Sequence, residues 1–182
     1  MPDSVVDWVV LEFRNVNSGE SKYINCILKQ DGSIVDPITD TSVVLNEKGV
    51  YAGLYQVGVL HRNHLPVYTE EYFRFSAHST TSKYFDFTKP DIIMGRFNST
   101  RALYLTQNND ILFGMKAGDV NQDGIIGIYK PGTLIFDMAD YNQGFDHRNI
   151  EGYSIWDINM DGIVTSRDLN YILNNLGSQT SK

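Results

Sequence analysis

The sequence predicts a mainly β fold with a small α part: a sandwich of short strands followed by two loop-helix repeats. Three observations predict it. The front half alternates apolar and polar residues over short runs broken by turn residues, the period of half-buried strands. Eleven Tyr and nine Phe suit a pleated surface, where aromatic side chains pack well. Beyond Gly118 the texture changes to clusters of Asp, Asn and Gly, each leading into a short apolar-periodic stretch.

Residues 6–14, VDWVVLEFR, set Val9, Leu11 and Phe13 on one face and read as the first strand. Trp8, inside this alternation, is expected in the core. The second strand runs through Tyr23, Ile24, Cys26, Ile27 and Leu28, and Asp31-Gly32 supplies a hairpin turn. Cys26 is the one cysteine, so no intrachain disulfide forms, and its setting is that of a small buried hydrophobe. Short strands follow at 33–35 and 42–45. Residues 49–61 turn at Ala52-Gly53 and then place Tyr55, Val57 and Val59 on one face. Strands at 70–77 and 83–87 bring the count to about seven, the spacing of an Ig-like or prealbumin-like β-sandwich, which is assigned to residues 1–88. Pro90 and Gly95 punctuate a linker or packing segment over 89–117, in which 102–105 reads as a strand and 108–110 as a turn. Residues 118–182 form the second domain.

Composition narrows the function. Hydrophobic residues at 42% and charged residues at 20% are enough for a packed core and argue against disorder. The net charge of −7 opposes a nucleic-acid partner, which needs Lys and Arg to neutralise phosphates, and favours divalent cations. No run approaches the ~20 apolar residues of a membrane helix, so membrane insertion is not expected, and no signal peptide opens the chain.

The chemistry is carried by an internal repeat. Asp119-Val-Asn121-Gln-Asp123-Gly124-Ile125-Ile126 recurs as Asp157-Ile-Asn159-Met-Asp161-Gly162-Ile163-Val164. Calcium takes six to eight oxygens, and a twelve-residue loop of the EF-hand-like kind offers side chains at positions one, three and five, a carbonyl at seven and a carboxylate at twelve. Gly at position six permits the bend. In the second loop the scheme is complete: Asp157, Asn159 and Asp161 by side chain, Ile163 by carbonyl, Thr165 through water and Asp168 at twelve. Leu169, Ile172, Leu173 and Leu176 then follow at helical spacing, with Gly177 as the stop. In the first loop Asp119, Asn121, Asp123 and the Ile125 carbonyl are in place, but position nine is Gly127 and position twelve is Lys130, which cannot ligate a cation. Two readings stand: an expanded loop in which Asp137 replaces the missing carboxylate, at the start of a helix ending near Gly144, or a degenerate loop that only packs against its partner. One or two calcium ions are expected accordingly.

From Gly118 to Gly177 this stretch resembles the dockerin family, in which two loop-helix repeats pack with approximate two-fold symmetry and bind calcium. The resemblance implies that positions ten and eleven of each loop, Ile128 and Tyr129 in one and Ser166 and Arg167 in the other, face a cohesin-like partner. The whole chain also resembles the carboxy-terminal module of large secreted Bacteroidota proteins, through the V-D-W-V opening at 6–9, the H-R-N-H-L segment at 61–65 and the terminal pair of loops. That resemblance implies an extracellular or cell-surface setting and a supporting or attachment role.

Other constellations carry less. His61 and His64 lack further ligands at metal spacing, and the segment is expected to end a strand and tie a loop down by hydrogen bonds. Trp156, just before the second loop, is expected to brace it. No nucleophile elbow, phosphate loop or H-E-x-x-H helix occurs, so no enzyme is expected. The sequence therefore points to a non-catalytic, calcium-stabilised structural or attachment module. The alternatives are a dockerin-type module binding a cohesin-like partner, and a self-assembling filament or surface-layer subunit whose apolar first strand completes a neighbour's sheet.

Overall fold

The computed structural model describes residues 5–76, 83–95, 97–104, 111–127 and 154–181. The chain divides into two compact units, Met1–His61 with Tyr68–Met94, and Arg62–Val67 with Gly95–Lys182. Among the described residues it is mainly β with one α-helix, an arrangement consistent with a β-sandwich.

The first unit is built on strands β1 (Val5–Asn15), β2 (Ser21–Lys29), β3 (Ile34–Val35) and β4 (Gly53–His61), with β5 (His64–Tyr68), in which the unit boundary falls, and β6 (Phe73–Phe75). The sheet order is β3-β2-β1-β4-β5, with β6 also on β4. The β1 pairings with β2 and β4 are antiparallel and bring Val9 opposite Cys26, Leu11 opposite Ile24 and Val59, and Phe13 opposite Val57. Because side chains alternate at period two, these residues share one face, and all but Leu11 are buried. Phe75 of β6 closes that face, edge-on to Phe13 at 6.0 Å and tilted against Tyr55 at 5.8 Å.

The opposite face of β1 holds a buried carboxylate. Glu12 accepts hydrogen bonds from Tyr68 Oη (2.7 Å), Ser21 Oγ (2.6 Å) and Arg14 (3.1 Å). Tyr68 reaches it by lying over Gly58, where an added Cβ would stand 2.6 Å from the ring, so this strand position has room for glycine only. Burial alone would raise the Glu12 carboxyl. The Ser21 and Tyr68 hydroxyls and the Arg14 charge outweigh it and hold the group below its ordinary value, while burial and Glu12 together push the Tyr68 phenol up.

Several expectations are corrected here. Trp8 is 48% exposed, because period two puts it on the face opposite Val9, beside Val10 rather than in the core. Residues 42–45 form no strand: the Leu45 carbonyl accepts from Lys48 and Val50, and Thr41 closes a turn on Asp36, so the backbone bonds locally. Residues 83–87 make no ladder either, although Phe85 packs edge-on against Phe73 at 4.7 Å. Of the strand expected over 70–77, residues 70–72 and 76 are not in a strand and β6 forms at Phe73–Phe75; Ala77 lies outside the described residues. Strand donation by β1 is also overturned along Val10–Asn15, where β2 and β4 flank it on both sides and leave no free edge.

In the second unit, β7 (Thr100–Tyr104) and β8 (Ile111–Met115) form an antiparallel ribbon within the stretch read as linker. Thr165 caps α1 (Ser166–Asn174), and the Asp168 side chain returns the bond to the Thr165 backbone N–H, a reciprocal capping box. The core gathers Leu65, Ala117, Val120, Ile126, Ile158, Val164 and Ile172, with Ile155, Trp156 and Leu169 packed against it. Trp156, expected to brace the second loop, packs against this core, which includes Ile158 and Val164 of that loop.

Candidate metal centre

The two D-x-N-x-D-G segments fold alike, bond for bond. In the first loop Asp119 accepts from the backbone N–H of Asp123 (3.1 Å) and Gly124 (3.1 Å), Asn121 from Asp123 (3.0 Å), and Asp123 from Ile125 (2.9 Å). In the second loop Asp157 accepts from Asp161 (3.1 Å) and Gly162 (2.9 Å), Asn159 from Asp161 (2.9 Å), and Asp161 from Ile163 (3.0 Å). The backbone agrees as well. Gln122 and Met160 take φ of 56° and 60°, and Gly124 and Gly162 take 86° and 87°, the left-handed region that glycine enters freely. Each loop is pinned to the core by equivalent apolar residues, Val120 and Ile126 in one and Ile158 and Val164 in the other.

The second loop concentrates negative charge. Asp157 and Asp168 are buried, at 4% and 0% exposure. Asp168 Oδ1 accepts from the backbone of Ile158 (2.9 Å) and Asn159 (3.2 Å), and Oδ2 from Thr165 (2.7 Å). Asp161 and Asn159 touch through a bond of 3.0 Å. Among the described residues no Lys, Arg or His pairs with Asp157, Asp161 or Asp168. Backbone N–H groups satisfy part of this charge. Buried charges are paired, hydrogen-bonded or metal-bound. Asp168 spends its acceptor capacity on these backbone donors and the Thr165 hydroxyl, whereas each oxygen of Asp157 and Asp161 accepts one bond and keeps a second lone pair.

The donor set fits a hard cation. Asp157, Asn159, Asp161, the Ile163 carbonyl and Asp168 offer oxygen alone, with neither thiolate nor imidazole, the chemistry of calcium rather than zinc. Among the described residues no group of three or more His, Cys, Asp or Glu stands out as a metal cluster on its own, so a cation here would depend on the amide and carbonyl oxygens as well. Thr165, expected to act through water, is the helix N-cap, its hydroxyl accepting from Arg167 N at 3.2 Å. In the first loop Asp119 is fully buried. Ile128, Tyr129, Lys130 and Asp137, with the helix expected to end near Gly144, lie outside the described residues. Ser166 and Arg167 are exposed at the start of α1.

Sequence reasoning left the H-R-N-H-L segment with a generic role, and the structure gives it a particular one. His61 pairs with Asp7 at 3.2 Å, and His64 Nδ1 bonds Asn63 Oδ1 at 2.7 Å, so each imidazole has its own partner. Arg62 donates to the Ser154 carbonyl. Asn63, with no exposed surface, donates to the carbonyls of Ile155 and Asp157, both at 3.1 Å. After the helix, the chain returns to the first loop: Ile126 N bonds Ser178 O and Thr180 N bonds Gly124 O, at 2.9 and 2.8 Å.

No family model matches the chain, and no curated protein does. One solved structure that it resembles is a type II cohesin-X-dockerin complex from Acetivibrio cellulolyticus carrying a C-terminal interface mutation. The likeness has 17% identity and a TM-score of 0.39, over 94% of this chain and 83% of that one. At that score it supports no argument. Among the described residues no helix is long and apolar enough to cross a membrane.

Proposed function

We propose that this chain is a non-catalytic module whose second unit is held together by calcium, serving as a structural or attachment element of a secreted or cell-surface bacterial protein. The observation that carries the reading is the bond-for-bond correspondence of two oxygen-lined loops, in the second of which Asp157, Asp161 and Asp168 pair with no cationic side chain among the described residues. On this reading the second unit is a pair of EF-hand-like repeats of dockerin type, and the first is an Ig-like or prealbumin-like sandwich. Calcium at millimolar concentration, with dissociation constants of about 10⁻⁶ to 10⁻³ M, adds roughly 4 down to 0.4 kcal/mol per site. Calorimetric titration of the chelator-stripped chain, paired with thermal melts, tests it. Heat of binding and a raised melting temperature are expected, and no response to calcium in either measurement defeats the proposal.

A second reading, a dockerin-type module with a cohesin-like protein partner, is favoured by the outer face of α1. Arg167, Asn170, Tyr171 and Asn174, at helical spacing i, i+3, i+4 and i+7, lie together on one side of α1 beside Asn159 and Arg101. Arg and Tyr are the side chains that most often anchor protein interfaces. Substituting Ser166 and Arg167 should then abolish capture of such a partner and leave calcium uptake unchanged. Capture that survives both substitutions removes this reading.

A further inference from the structure

We propose that Asn63 is a positioning residue that couples the two loops, so that ordering one by a cation prepares the other. The proposal rests on the calcium reading of the loops. Asn63 comes from far upstream in the chain, yet it meets both loops at their entrances. Its Nδ2 uses both protons at the entrance of the second loop, one on the Ile155 carbonyl just ahead of it and one on the carbonyl of Asp157, the first ligand position. Its own carbonyl accepts from Gly118 N at 2.8 Å, the residue just before Asp119, which opens the first loop.

Arg62 repeats the arrangement. Its guanidinium holds the Ser154 carbonyl, and its carbonyl accepts from Gln122 Nε2 at 2.8 Å, inside the first loop. Two consecutive residues therefore bond within or just ahead of both loops, and Leu65 lies in the core that the loops share. The orientation of the Asn63 amide follows from chemistry. Two carbonyls demand donors on one side, and His64 Nδ1, as the donor, fixes Oδ1 on the other. Asp in place of Asn would turn a charged acceptor toward two carbonyls.

Such a link makes the two sites energetically reciprocal, and coupling of this kind typically changes affinity about 5- to 150-fold. The test is calorimetric calcium titration of the full chain as wild type, Asn63→Ala and Asn63→Asp, with amide hydrogen exchange of the loops in chelator. The wild type should bind two ions cooperatively. Asn63→Ala should bind them independently and about 5-fold or more weakly, Asn63→Asp more weakly still, and both should exchange faster at the loops without metal. Should neither variant fold, Gln122→Ala, at an exposed side chain, cuts only the link to Arg62 and should still reduce cooperativity. A wild type that binds no calcium defeats the reading of the loops. A wild type that binds one ion, or an Asn63→Ala isotherm equal to it, overturns the coupling and leaves that reading standing.

Discussion

Replacing Asp168 with Asn separates two jobs that one carboxylate performs. The side chain is fully buried and its two oxygens accept from three backbone N–H groups, at Ile158, Asn159 and Thr165. An Asn has one oxygen and one NH₂, so in either orientation an NH₂ faces a backbone donor. Turned one way, the Thr165 N–H is lost; turned the other, Ile158 and Asn159 are. A buried donor left unsatisfied costs about 1–3 kcal/mol, and removing the negative charge from the first turn of α1 costs about 0.3–1 kcal/mol more. The metal-free chain should therefore lose about 1.3–4 kcal/mol. With calcium present a second loss adds to this. If the missing carboxylate weakens the site a hundredfold, about 0.4 to 2.7 kcal/mol of calcium-dependent stability disappears, for wild-type dissociation constants of about 10⁻³ to 10⁻⁶ M. The assay is urea unfolding of wild type and variant, in chelator and in millimolar calcium. Equal midpoints in chelator would refute the capping argument. An equal calcium-induced shift in both proteins would refute Asp168 as a ligand.

Two further predictions concern the first unit. Gly58→Ala places a methyl against the Tyr68 ring and should cost about 1–3 kcal/mol; Tyr68→Phe removes a hydrogen bond to a charged acceptor and should cost about 1.5–3 kcal/mol. Both act on one contact, so the double variant should lose less than the sum in denaturant titration, and strict additivity would show that Gly58 does not serve to seat Tyr68. Glu12 governs an acid limb: its folded value lies below the ordinary 4.5, so its contribution is fully present above about 4.5 and is lost as pH falls through the folded value. Glu12→Gln should flatten the decline in melting temperature at low pH, and an unchanged acid limb would contradict that assignment.

The turn geometry of the two D-x-N-x-D-G segments was legible in the residue order because it is local. The hydrogen bonds that turn the first six residues of each loop run from a residue to one two to five positions on, as from Asp157 to Asp161 and Gly162, so a run of eight letters contains that turn, while Asp168 closes the second loop from nine and ten positions away. Strands β1, β2 and β4 were legible for a similar reason, since period two marks a buried face without reference to the partner strand. Residues 42–45 and 83–87 carried apolar residues too, but no neighbouring strand bonds to them, and pairing is decided at a distance. The Pro in β5 and the Gly in β8 weakened a signal that long-range pairing restored.

The residues themselves determined that oxygen-rich turns close around Gly124 and Gly162, and that a helix begins where Thr165 and Asp168 exchange hydrogen bonds. Only the tertiary structure decided that Trp8 faces outward, that Glu12 lies buried beneath Tyr68, and that Asn63 ties down turns encoded far downstream. The physical reason is that a backbone carbonyl such as that of Ile155 has no sequence signature. Any residue offers one, and which side chain meets it depends on how the chain is folded back.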